Sequence, residues 1–156
     1  MKVRKQKTQE RTAHDHDPVN SYERLVDSQP ILDMLSMLSK AGRANFHSNG
    51  MWEVCFCALV LKLEPQCKVQ RILEALPYDD TPMDEADFLN CFAHLGYYCR
   101  PVDASLKDLD ERLLPGVFIP RSGEPSIVLN RNNNGNLQFF DPVSKLLSNV
   151  PPSFDR

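Results

Sequence analysis

An α+β fold, with helices packed on a small antiparallel sheet, is predicted by the order of patterns along the chain. Four stretches of helical apolar spacing fill residues 30–96, and short runs rich in aromatic and β-branched residues follow them. An Asn-rich turn, NNNG, joins two of those runs, and helices ahead of hairpin-linked strands give the α+β class rather than alternating βα units.

Residues 1–20 are polar and charged, with too few large apolar groups to offset the entropy of ordering. They are expected to form a disordered basic tail ahead of a domain spanning 21–156. From Pro30, PILDMLSMLSKAG puts Ile31, Met34, Leu35 and Leu38 on one face, with Pro near the start and Gly42 beyond the end. The turn chemistry of NFHSNG precedes MWEVCFCALVLKLE, which is apolar nearly all round, stops before Pro65, and so predicts the buried central helix. QCKVQRILEALP aligns Val69, Ile72, Leu73 and Leu76 and ends at Pro77. DDTPMDEADFLNCFAHLG opens on Thr81 as a cap with Pro82 in the first helical position, holds acids where the helix dipole favours them, and stops at Gly96. YYCRPVDA, GVFIPR, PSIVLNR and NLQFFDP then read as strands, with SLKDLDERLLP a helical turn or loop between the first two. The NNNG turn makes the last two antiparallel neighbours.

Residues 1–13 carry five basic side chains against one acidic, whereas residues 14–156 carry thirteen against twenty. Nucleic-acid binding needs a basic face, so the acidic body argues against it. The tail has charge for a weak membrane-surface contact, at roughly 1 kcal/mol per basic residue near anionic lipid. No apolar run approaches the roughly 20 residues that cross a bilayer, and no apolar segment follows the basic N-terminus as a signal peptide requires. Five cysteines, an odd number without an export signal, read as reduced thiols buried as small hydrophobes. Cys55 and Cys57 are too close in sequence for the usual zinc pair, and the histidines are scattered, so neither a metal nor a cofactor is expected.

Thiol proteases open a buried helix with cysteine, place histidine on a later strand and orient it with an Asp. Here the cysteines of the central helix lie a turn or more inside it, the predicted strands hold no histidine, and His47 and His94 fall in a loop and at a helix end. Taken singly, Asp141 with Pro142 reads as an Asp-Pro turn before an orienting carboxylate, and Trp52 reads as core before a binding platform.

Five segments in order, MWEVCFCALVLKLEP, ADFLNCFAHLGYYCRPV, LPGVFIP, GEPSIVLNR and LQFFDPV, give the stretch from Met51 to Val143 a family likeness. It resembles the peptidase C39-like domain, the papain-like module at the cytosolic N-terminus of some type I secretion ABC transporters, and most of all the subset serving exporters of large repeat toxins and adhesins. Active members carry a Gln, a nucleophilic Cys opening the central helix, a His at the start of a strand, and an Asp in an Asp-Pro pair. Those positions fall near Asn45, on Met51, on Pro125 and on Asp141 with Pro142, and only the last matches. A thioether cannot attack a carbonyl and a proline cannot take a proton, so the resemblance implies a degenerate, non-catalytic site. Degenerate members are understood to hold or recruit the unfolded export substrate. The partners implied are therefore an unfolded secreted protein and the remainder of the transporter, at the cytoplasmic face of the bacterial inner membrane.

Trp52, Tyr97, Tyr98 and Phe140 are the aromatic candidates for the substrate-contacting surface. An acidic body favours apolar over charged contact with acidic repeats. Family domains usually end with one further strand before a transmembrane region, whereas this chain stops at PPSFDR, as a fragment or a free-standing relative would. Two other readings stay open: an α+β interaction module unrelated to secretion, and an active cysteine peptidase that cleaves leader peptides with Cys55 or Cys57.

Overall fold

The computed structural model describes residues 2–5, 28–41, 50–77 and 81–153. Along the chain run β1 (Lys2–Lys5), α1 (Gln29–Lys40), α2 (Met51–Leu63), α3 (Val69–Ala75), α4 (Glu85–His94) and β2 (Tyr97–Arg100). Two short 3₁₀ turns, Leu106–Asp108 and Glu111–Leu113, precede β3 (Gly116–Phe118), β4 (Ser126–Arg131), β5 (Leu137–Asp141) and β6 (Leu146–Val150). The fold is α+β. All strand pairs are antiparallel, in the order β2-β1-β3-β4-β5-β6. No helix among the described residues is long and apolar enough to cross a membrane.

The helices lie where apolar spacing and prolines put them. α2 is buried continuously from Glu53 to Val60 and so forms the central helix. The start of α4 differs from expectation. Its cap is Asp84, not Thr81, because Asp84 accepts from Asp87 N–H at 2.9 Å while Asp87 accepts from Asp84 N–H at 3.3 Å, a reciprocal pair that satisfies two helix-end donors. Gly96 stops the helix at φ +86°, a backbone region that costs a glycine little.

The strands are shorter than their apolar runs, and two were not anticipated. Lys2–Lys5 fall in the stretch expected to be a disordered tail, yet their main chain pairs with β2 from Lys2↔Arg100 to Lys5↔Tyr97 and touches β3 at Lys2↔Gly116. Main-chain hydrogen bonding does not need an apolar sequence, so composition alone misses such a strand. Residues 6–20 of that tail lie outside the described residues. Leu146–Val150 pairs with β5 as a strand beyond the last one expected. Three of its five residues are apolar, but most of the strand is exposed and it takes its pairing from β5 alone.

Both faces of the sheet are covered along β4 and β5. Val117, Ile127, Leu129 and Phe140 pack against the helices. Val128, Leu137, Phe139 and Val150 instead meet Leu106, Leu109 and Leu114 of the segment between β2 and β3. Arg131 pins that segment: its guanidinium donates to Leu109 O at 2.9 Å, Leu106 O at 3.3 Å and Gly135 O at 3.3 Å. Replacing Arg131 with methionine keeps the stem but leaves three carbonyls unpaired, and we expect a loss of about 1–3 kcal/mol. Equilibrium denaturation measures the loss, and faster hydrogen exchange confined to residues 105–114 locates it.

The β4–β5 hairpin is as anticipated. Asn132 Oδ1 accepts from Asn134 N–H and Asn136 N–H at 3.0 Å each, and Gly135 sits at φ +80°. Turn geometry thus accounts for the Asn run.

Candidate functional site

The N-terminus of α2 is placed by a buried carboxylate. Glu53 Oε1 accepts from Met83 N–H at 2.9 Å, tying the first turn of α2 to the segment ahead of α4. Its Oε2 occupies the space that a side chain at residue 50 would fill, which explains glycine there. α2 therefore begins at Met51 in a defined position against the sheet end.

On the sheet, Ile127 pairs with Phe140, so the start of β4 and the end of β5 lie side by side. Pro125 and Ser126 come from the first, Asp141 and Pro142 from the second. Together with Met51, Val143 and the β3–β4 loop, they line one cleft of about 600 Å³. The loop contributes Pro120, Arg121, Ser122 and Glu124. Three positions far apart in sequence, Met51, Pro125 and Asp141, thus meet in one place. These are the positions at which the family likeness sets nucleophile, base and orienter. Asn45, the fourth, lies outside the described residues.

No protein family, curated protein or solved structure matches the chain.

Asp141 is both a turn residue and a lining carboxylate. Its Oδ1 accepts from Val143 N–H at 2.9 Å and its carbonyl from Lys145 N–H at 2.8 Å, the Asp-Pro turn read from sequence. Among the described residues its Oδ2 takes no hydrogen bond. Ser126 is 4% exposed, and its Oγ has no partner among the described residues. Gln138 Oε1 shares that condition but does not line the cleft. Leaving a buried hydroxyl unpaired costs about 1–3 kcal/mol, so its retention beside a cleft calls for a reason.

Cys55 lies one turn beyond Met51 on the same side of α2. It is fully buried, and burial, reinforced by the charge of Asp141, pushes its thiol well above the ordinary range. That is the reverse of the lowered pKa that activates a nucleophile. Cys57 is raised likewise, by burial first and then by Glu53. His94 does not line the cleft; its Nδ1 lies 3.4 Å from Ala75 O.

The aromatic candidates are dispersed rather than gathered. Phe140 is completely buried on the helix side of the sheet. Tyr97 is also buried, with its hydroxyl donating to Glu64 Oε1 at 2.6 Å, while Arg71 donates to Glu64 Oε2 at 2.9 Å. Trp52 is half-buried, its ring edge-on to Phe88 at 5.4 Å. Only Tyr98, 61% exposed on β2, presents itself to solvent, and none of the four lines the cleft. Aromaticity alone cannot separate core from surface, because both sides of a strand read alike until its neighbours are known. Sequence reasoning missed Ser126, Arg121, Glu124 and Val143, and no local pattern marks them.

The thiols carry a pH dependence. Cys91 is pushed up to about 12, by burial and then by Asp87, and Cys55 and Cys57 shift in the same direction. A thiol of the unfolded chain ionises near 8.5, whereas these stay protonated when folded. Their contribution to stability is therefore complete below about pH 8.5 and is lost as the pH rises toward the folded values. The denaturation midpoint is expected to fall as the pH rises from about 8.5 to 10, and to fall less in Cys91→Ala.

Proposed function

We propose that this chain is a non-catalytic, papain-like domain of the peptidase C39 type. In this reading it belongs to a type I secretion ABC transporter and holds the unfolded export substrate at the cytoplasmic face of the inner membrane. The observation that carries the reading is the meeting of Met51, Pro125 and Asp141 in one cleft. The β4–β5 hairpin brings residue 125 near residue 141, but Met51, 74 positions before Pro125, has no local reason to join them, and these are residues that the family likeness singles out. A cleft so built keeps a groove and an orienting carboxylate but presents a thioether and a pyrrolidine ring to a peptide bond, so it grips without cutting. An extended chain gains main-chain and side-pocket contacts in such a groove.

The test compares unfolded and folded forms of a candidate export substrate, each titrated against the protein. Binding of the unfolded form alone is expected. Equal binding of both, or of neither, overturns the reading, as does cleavage of a double-glycine leader peptide.

A further inference from the structure

The cleft lining combines apolar side chains with two carboxylates, Asp141 half-buried and Glu124 exposed on the β3–β4 loop. Met51, Pro125, Pro142 and Val143 supply apolar surface, while Asp141 and Glu124 bring two carboxylates. Arg121 is its one basic lining residue; it is exposed, and among the described residues it pairs with neither carboxylate. The body of the protein, acidic over residues 14–156, adds to the same sign. Two carboxylates with no third ligating group among the described residues suit an organic cation rather than a metal ion. Independently, the Ser126 hydroxyl in the same lining is buried and has no partner among the described residues.

Resting on the reading of the cleft as a peptide-holding groove, we infer that it receives a basic side chain, lysine or arginine, of an extended polypeptide. The aliphatic stem packs on Met51, Pro125 and Pro142, and the cationic head meets the Asp141 carboxylate and the Ser126 hydroxyl. Long basic side chains are built for such a site, with an apolar stem and a charged tip. The Asp141 oxygen left over from the turn is the natural acceptor, since its partner oxygen is already taken by Val143 N–H. An anionic ligand is disfavoured by both lining carboxylates.

Fluorescence anisotropy with two labelled peptides, identical except for a central lysine or norleucine, tests this. The lysine peptide is expected to bind at least about tenfold more tightly, as one charge-assisted hydrogen bond allows, and to lose that margin as salt is raised. Asp141→Asn keeps the oxygen that accepts from Val143 and should abolish the preference. Ser126→Ala should cut lysine-peptide affinity by about three- to tenfold without lowering the melting temperature. Equal affinity of the two peptides, or a preference that survives Asp141→Asn, overturns the inference. A chemically unfolded, reduced and alkylated polypeptide serves as the parallel probe. If it binds while the peptides are not distinguished, only the basic-side-chain inference falls; if neither it nor the peptides bind, the peptide-holding reading falls as well.

Discussion

A chain carrying both Met51→Cys and Pro125→His is expected to react with iodoacetamide at residue 51, at about pH 6, roughly ten to a hundred times faster than one carrying Met51→Cys alone. The single variant puts a thiol at the first helical position of α2, but beside the Asp141 carboxylate, which holds it protonated. The second change adds an imidazolium to the same cleft, with Asp141 at hand to orient it, and a cysteine beside His⁺ at a helix N-terminus ionises several units below 8.5. At about pH 6 this converts a thiolate fraction well under one per cent into a large one, partly offset by the lower nucleophilicity of a more acidic thiol. The buried Cys55, Cys57 and Cys91 stay silent in the folded protein, and peptide mapping by mass spectrometry separates the label at residue 51 from any at the partly exposed Cys67 and Cys99. A double variant no faster than the single one would show that residues 51 and 125 do not stand as nucleophile and base stand in a thiol protease. Restored peptide cleavage is not required for this outcome.

Phe92→Ala is expected to lower stability by about 3–5 kcal/mol, the usual loss when a fully buried aromatic is cut back to a methyl group. The Phe92 ring lies 5.1 Å from Phe56, 4.8 Å from Phe88 and 5.8 Å from Tyr97, so it joins α2 to α4 and to the sheet edge. Such a loss corresponds to a fall in melting temperature on the order of 10 °C for a domain of this size. Phe92→Leu keeps most of the volume and should lose much less. Chemical denaturation with an unchanged m-value checks both, and a loss below about 1 kcal/mol for Phe92→Ala would mean that α4 is not clamped through this ring. Because the same cluster seats the helix whose first residue lines the cleft, Phe92→Ala should also weaken peptide binding, by displacing Met51 rather than by removing a contact.

The helices were legible because each states itself within a dozen residues. The run from Met51 is apolar on every side and the one from Pro30 on a single side; Pro65, Pro77 and Gly96 close the second, third and fourth. The NNNG turn was equally local, since Asn132 satisfies it with its own side chain. β1 and β6 escaped because what makes them strands lies elsewhere: for β1 the main chain of Tyr97–Arg100, for β6 that of Leu137–Asp141. Asp141 was read from its Asp-Pro pair, but Ser126, Arg121 and Glu124 have no sequence signature, because a cleft is a relation between segments.

By itself the amino-acid sequence determined the class of the fold, the span of the central helix and the chemical identities at residues 51, 125 and 141, for these depend on periodicity, on capping groups and on which atoms a side chain owns. Tertiary structure alone decided which groups share a cleft and which aromatic rings are hidden. Burial and proximity arise from the seating of α2 against the β4–β5 hairpin, contacts across a large sequence separation that no local pattern encodes, whereas the hairpin itself is announced by its turn.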